Sequence, residues 1–318
     1  MKFSITIPAY KQRFLAEAID SCLSQTYSDF ELIIVNDHSP EDLDSIVKRY
    51  SDSRIRYYMN EKNCGAVDVV DNWNKCLGYA KGDYVICMGD DDCLLPCCLE
   101  EYVKLIEQYP GLSVYHAWTQ LINEQSEVVM FQEQRPQYES AYAFLWHRWM
   151  FRNWQYIGDF LFDVKNLRSQ GGFYKLPLAW TSDEITAFRA ALDAGIANTQ
   201  QPSFQYRINS QTISNVGSAR IKLQATFLAK QWYEETLNSL NPKDETDQKF
   251  LNLIKKDIAT YYRKRYLITL REGYPDTLKD ISFWLQEAPK FGLTKRNILR
   301  EYYNYYMTKF LHIKEIQQ

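Results

Sequence analysis

The chain has 318 residues, 46% of them hydrophobic and 24% charged, with a formal charge of -3. That balance excludes disordered and fibrous classes, and no run approaches the roughly 18 apolar residues of a membrane-spanning helix. Aromatic residues reach 15%, with 24 Tyr and 8 Trp, a composition that suits sugar faces and membrane interfaces as well as ordinary cores.

Met1 to Tyr10 reads as a short strand rather than a secretory leader, which predicts a cytoplasmic protein. The strand Phe3 to Pro8 is followed by apolar residues at helical spacing, Leu15, Ala18, Ile19, Cys22 and Leu23, inside a helix over 13–25. Phe30 to Val35 is almost wholly apolar, as a parallel strand buried on both faces would be. A helix over 41–50, a strand over 55–59, a helix over 69–80 and a strand over 84–88 continue the alternation. Such a β-α-β-α series predicts a doubly wound sheet with its ligand at the carboxyl ends of the strands.

Beyond the acidic run Asp90-Asp91-Asp92, the pattern predicts a helix to Gln108, a strand over 112–118 and a hairpin-like stretch to Gln132. A Trp-rich and Tyr-rich helix over 138–151, a strand over 159–164, a helix over 183–193 and a strand over 203–208 follow. After Ser214 long helices take over, at 218–240, 246–270, 277–287 and 294–313. A boundary therefore falls near residue 216, giving an α/β domain over 1–216 and a helical region over 217–318. From Lys249 to the end, fourteen Lys and Arg face seven Asp and Glu. This basic, aromatic-rich tail suits the inner membrane surface or a lipid-linked substrate, and helix packing or a homodimer contact equally well. The seven cysteines all lie between Cys22 and Cys98, an odd number without zinc-site spacing, and read as reduced thiols.

Three loops follow three buried strands and converge at one sheet edge: Asn36 to Ser39, Asn63 to Asn74, and Asp90 to Asp92. Three adjacent carboxylates repel one another unless a cation or hydrogen-bond donors compensate. A hard divalent metal, Mn2+ or Mg2+, bridging to substrate phosphates supplies that compensation.

Over Ile5 to Pro96 the sequence resembles the nucleotide-sugar domain of family 2 glycosyltransferases, an inverting group with the GT-A fold. The matching pieces are Thr6-Ile7-Pro8-Ala9-Tyr10, Leu23-Ser24-Gln25-Thr26-Tyr27, Glu31 to Asp37, Asn63-Cys64-Gly65, Asn72 to Leu77, Ala80 to Tyr84, and the aspartate run with Leu95-Pro96. The resemblance implies that Pro8, Ala9 and Tyr10 cradle the nucleotide and that Asp37 bonds the base, with uracil expected. It implies ribose binding by Asp90, metal binding by Asp91 with Asp92 as helper, and places Asn63 and Asn74 in the nucleotide-sugar set. Where the family often has a further acidic residue, this chain has Gly89.

A second match is Trp180 to Glu184, leading into Ala190 to Gly195. In the family a carboxylate here is the general base, as inversion requires on the acceptor side; Asp183 takes that role, with Glu184 as the fallback and a helix cap as the plain alternative. The last match, Tyr206-Arg207-Ile208-Asn209, implies that Arg207 neutralises diphosphate, while Asn209 stands where a His is common. The expected function is metal-dependent transfer of a hexosyl or N-acetylhexosaminyl group from a nucleotide sugar, expected to be UDP-linked, to a glycan or lipid-linked acceptor in bacterial surface polysaccharide synthesis. The alternatives are a nucleotidyltransferase, which lacks its Gly-rich loop here, and a non-catalytic sugar-nucleotide binder. Neither a phosphate loop of the kinase type nor a nucleic-acid signature is present.

Overall fold

The computed structural model describes residues 1–209, 218–272 and 281–310. Its contacts divide the chain into two compact units, Met1–Lys175 with Ser182–Asn215, and Leu176–Thr181 with Val216–Gln318. The expected boundary at residue 216 lies outside the described residues.

The first unit is an α/β layer. In chain order it comprises β1 (Phe3–Ala9), α1 (Leu15–Leu23), β2 (Phe30–Asn36), α2 (Leu43–Val47), β3 (Ile55–Met59), α3 (Val69–Tyr79) and β4 (Tyr84–Cys87). There follow β5 (Cys93–Leu94), α4 (Cys98–Gln108), β6 (Val114–Ile122), β7 (Val128–Phe131), β8 (Tyr138–Glu139), α5 (Ala141–Trp149) and β9 (Phe160–Asp163). The unit closes with α6 (Val164–Ser169), α7 (Ser182–Ala191) and β10 (Ile196–Arg207). One sheet runs in the order β3-β2-β1-β4-β9-β6-β10-β5, with β7 on β6 and β8 on β10. Its long pairings, β1 with β2, β2 with β3 and β6 with β10, are parallel. The result is the mixed, mostly parallel sheet flanked by helices that the sequence predicts.

Burial on both faces explains the apolar strands. All seven residues of β2 are buried, and Phe3, Ile5, Ile7 and Ala9 of β1 pack with Leu32, Ile34, Ile86, Leu15, Ile19 and Leu99 in one core. The exception, Glu31, is satisfied rather than expelled. Ser4 Oγ donates to it at 2.8 Å, the Lys81 N–H at 2.6 Å and Arg56 at 2.7 Å. Burial alone would raise its carboxyl, but these donors hold it below the usual value.

Three elements differ from expectation. The stretch over 138–151 opens as the strand β8 because Ser140 caps α5 through the Ala143 N–H at 3.2 Å, starting the helix three residues late. The short helix α6 was not anticipated; Asp163 ends β9 and caps it through the Asn166 N–H at 2.6 Å. β10 begins at Ile196 rather than Ser203, since register shifts around Pro202 let a proline sit within it.

The second unit holds α8 (Ala219–Ser239), α9 (Glu245–Glu272), α10 (Ile281–Glu287) and α11 (Lys295–Phe310). The predicted starts and ends at 277–280 and 311–313 lie outside the described residues. No helix among those described is long and apolar enough to cross a membrane.

Candidate active site

β1, β2 and β3 end level, because Ala9 pairs with Asn36 and Asn36 with Met59. The next residue of each strand is therefore delivered to one edge. Tyr10, Asp37 and Asn60 stand there, held by the Asp37 N–H on the Ala9 carbonyl and the Asn60 N–H on the Asn36 carbonyl, both at 2.9 Å. Asp37 is a hub. Its carboxylate accepts from Asn60 Nδ2 at 2.7 Å and from the Cys64 N–H at 3.0 Å, and Asn60 reaches on to Asn72 at 3.0 Å. Asn63 accepts from the Gly65 N–H, closing a turn in which Gly65 takes φ +80°. Tyr10 as a residue is 41% exposed and can meet a planar partner.

Asn74 lies apart from this group in its bonding. Its amide accepts from the Phe173 N–H at 2.9 Å and donates to the Phe173 carbonyl at 3.2 Å, with left-handed Gly172 against it where a Cβ would collide. The amide thus locks α3 to the segment before α7. The sequence places Asn74 in the nucleotide-sugar set; here the hydrogen bonds of its amide go to Phe173.

The acidic run joins the same edge. One Asp90 oxygen accepts from both the Tyr10 and Lys11 N–H groups at 2.6 Å, tying the run to the end of β1. Burial, then the neighbouring Asp91, push the Asp90 carboxyl up to about 7, against the pull of those two donors. Asp92 is raised well above its ordinary value by burial and by Asp91, although it accepts the Arg207 N–H at 2.9 Å. Asp91 accepts from Asn209 Nδ2 at 2.7 Å. Gly89 has a steric explanation: a Cβ there would lie 2.8 Å from an Asp91 oxygen and 2.9 Å from an Asp92 oxygen. Any larger residue at 89 would push the two carboxylates apart.

These residues suit a divalent cation of one kind. Among the described residues no three His, Cys, Asp or Glu side chains form a cage for a metal. Buried carboxylates that repel one another still favour a cation held by one or two of them and completed by substrate phosphates, as Mg2+ commonly is.

Arg207 is the clearest departure. Expected at the diphosphate, its side chain is fully buried. It pairs with Glu17 at 2.8 Å, donates to the Asp91 carbonyl at 2.7 Å and to the Asn123 carbonyl and Ser126 Oγ at 2.9 Å, and lies over the Phe14 ring at 4.2 Å. With its donors so engaged it is a strut that fixes the acidic run. The strand β5, which pairs antiparallel with Phe204 and Gln205 of β10, makes this meeting possible.

Asp183 sits in the first turn of α7, half-buried, and desolvation pushes its carboxyl up to about 7 despite the opposing charge of Arg148. Glu184 is buried. Arg148 Nε lies 3.1 Å and Trp149 Nε1 3.2 Å from its two oxygens. The two carboxylates thus differ: Asp183 is half-buried with its carboxyl pushed up to about 7, while its neighbour is locked in an ion pair. The segment leading into α7 is strained, with Leu178, Ala179 and Thr181 all at left-handed φ without being glycine.

Three participants were not singled out from sequence. Asn60 and Arg148 carry no motif of their own, one following a strand and the other inside an aromatic helix. Asp159 is wholly buried, accepts from Thr119 Oγ1 and the Tyr156 N–H at 3.1 Å, and is pushed up to about 8 by burial. Its sole sequence signal was its place at the head of a predicted strand.

Comparison with known proteins places the chain by family and by fold. The family model described as "Glycosyl transferase family 2" matches residues 4–163. An uncharacterized glycosyltransferase of Methanocaldococcus jannaschii is 30% identical over 131 residues, 40% of this chain and 44% of that protein. A Campylobacter jejuni protein named as the GalNAc(5)-diNAcBac-PP-undecaprenol β-1,3-glucosyltransferase is 34% identical over 106 residues, 32% of this chain and 34% of that protein. The chain thus matches less than half the length of these curated relatives. A crystal structure of S. aureus TarS residues 1-349 with UDP-GlcNAc superposes over 98% of this chain and 92% of that one, with a TM-score of 0.64 at 13% identity, and so shares the fold.

Proposed function

We propose, because the chain belongs to glycosyl transferase family 2, that it moves a sugar from a nucleotide-sugar donor to an acceptor hydroxyl with inversion at the anomeric carbon. The observation that carries this reading is the single sheet edge at which the ends of β1 and β2, the Asn60-Cys64 loop and the acidic run are bonded together through Asp37 and Asp90. The donor base is assigned to uracil, and the TarS structure, of the same fold, holds UDP-GlcNAc. An acceptor carried on a lipid diphosphate is consistent with the C. jejuni relative's name.

In this reading the backbone of Pro8, Ala9 and Tyr10 and the Asp37 carboxylate hold the nucleoside, with the Tyr10 ring against the base and Asp90 at the ribose. Asn63 shapes the turn that closes on Asp37. Asp91 and Asp92 would hold a divalent cation, Mn2+ or Mg2+. When bound, it supplies positive charge to the departing diphosphate. Asp183 accepts the acceptor proton as that oxygen forms its bond to the anomeric carbon and the bond to the nucleoside diphosphate breaks on the opposite face. A carboxyl near 7 is matched to that task at neutral pH.

Calorimetric titration of UDP with and without Mn2+ tests the site. Metal-dependent binding that Asp91→Ala abolishes is the expected result, followed by UDP-sugar turnover; absence of UDP binding under both conditions removes the uridine assignment. A second reading, a non-catalytic sugar-nucleotide binder, is favoured by the Asn209 amide occupying Asp91. UDP binding without donor hydrolysis or transfer would select it.

A further inference from the structure

Outside the proposed donor edge, a set of buried charges lies where α5 meets α7. Arg148 projects from the last turn of α5. It places Nε 3.1 Å from Glu184 Oε2 and donates through Nη1 to the Asn153 carbonyl at 3.3 Å. Trp149, the next residue, donates to the other Glu184 oxygen at 3.2 Å. Two consecutive residues of one helix therefore grip the residue that follows Asp183. The side chain of Glu184 is 1% exposed and that of Arg148 14%, so the pair is poorly screened by solvent.

We propose that Arg148 is a positioning residue for the reaction: by locking Glu184 it fixes the first turn of α7, and its charge favours the form of the adjoining Asp183 that can take the acceptor proton. This rests on Asp183 being the base. The charged groups acting on Asp183 are Arg148 from α5, Glu184 on its own helix and Asp159 from the turn before β9. Arg148 is the cation among them. Burial and the charges of Glu184 and Asp159 favour the protonated acid, while the Arg148 charge and, more weakly, the Glu184 N–H oppose them. Asp159, on which Arg135 acts more strongly, also feels Arg148.

The sign of the effect follows. Removing the positive charge raises the Asp183 pKa, so less of it is ionised at neutral pH and more alkali is needed to form the base. Arg148→Gln should move the acid limb of the kcat/KM profile for UDP-GlcNAc turnover upward by about one pH unit, cut the rate at pH 7 about fivefold and recover at high pH. Arg148→Lys keeps the charge while losing the fork, and should retain most of the wild-type profile with a weaker fold. The same shift is read without turnover by carboxyl 13C resonances of Asp-labelled protein, with Asp183 assigned from Asp183→Asn. If wild type and Arg148→Gln titrate Asp183 alike, or if the variant loses rate equally at every pH, the proposal is wrong and Arg148 only supports the fold. If wild type turns over no UDP-GlcNAc, the donor assignment fails, and the carboxyl titration still decides the role of Arg148.

Discussion

Asp183 combines two properties that oppose each other. Its carboxyl, pushed up to about 7 by desolvation, remains protonated in the fold from the ordinary value of 3.8 up to 7, a range in which the unfolded chain has already released the proton. Stability therefore falls as pH rises through that window, since the native state binds more protons there. Asp183→Asn should raise the melting temperature at pH 8 by about 2–4 °C and leave it unchanged near pH 2, where both states are protonated. The same substitution should lower sugar transfer by about a hundredfold or more, because the proton has no acceptor. Glu184→Gln should behave in reverse. It leaves the Arg148 charge without its carboxylate and should cost about 3 kcal/mol in denaturant unfolding, with a smaller loss of rate for the fraction that folds. At Gly89, a substitution to Asp, which would mimic the wider family, should weaken rather than strengthen metal-dependent UDP binding, as the new Cβ meets the Asp91 and Asp92 oxygens.

At the scale of elements, the acidic run is held from two sides by two strands distant in sequence. The β1 end supplies the Tyr10 and Lys11 N–H groups to Asp90, and the β10 end supplies Arg207 to Asp91 and Asp92. Arg207→Met removes the guanidinium from over Phe14 and leaves Glu17 and two backbone carbonyls without their donor. It should cost about 3 kcal/mol on unfolding and weaken UDP binding through loss of order in the run rather than loss of a phosphate contact. The discriminating measurement is salt dependence: a residue in direct contact with diphosphate would change the ionic-strength slope of binding, and a strut would not. Close backbone packing also constrains the turn before β4. A Cβ on Gly82 would lie 2.7 Å from the Lys2 carbonyl and 2.8 Å from the Phe3 and Ser4 backbone, so the close approach of this turn to β1 needs glycine.

For the molecule as a whole, the segment Leu176–Thr181 belongs by its contacts to the helical unit although it lies between two parts of the α/β unit in sequence. Lys222 of α8 lies 4.7 Å over the Trp180 ring and Arg265 of α9 5.5 Å from it. A chain ended at residue 217 should leave this strained turn without its packing, and calorimetry should show a lower and broader transition than the full chain. The sequence alone was enough for the alternating order of buried strands and helices, because period and apolar runs are local properties. It was also enough for the residues that each strand end delivers to one edge, since a parallel register places all those ends together. It did not separate residues that face a ligand from residues that brace the site. Arg207, Asn74 and Glu184 read as site chemistry in the sequence, yet their hydrogen bonds are spent on Asp91 and Asn123, on Phe173, and on Arg148 and Trp149. Those partners lie between 35 and 116 residues away along the chain, and only the folding of β10 against β5 and of α5 against α7 brings them within bonding distance.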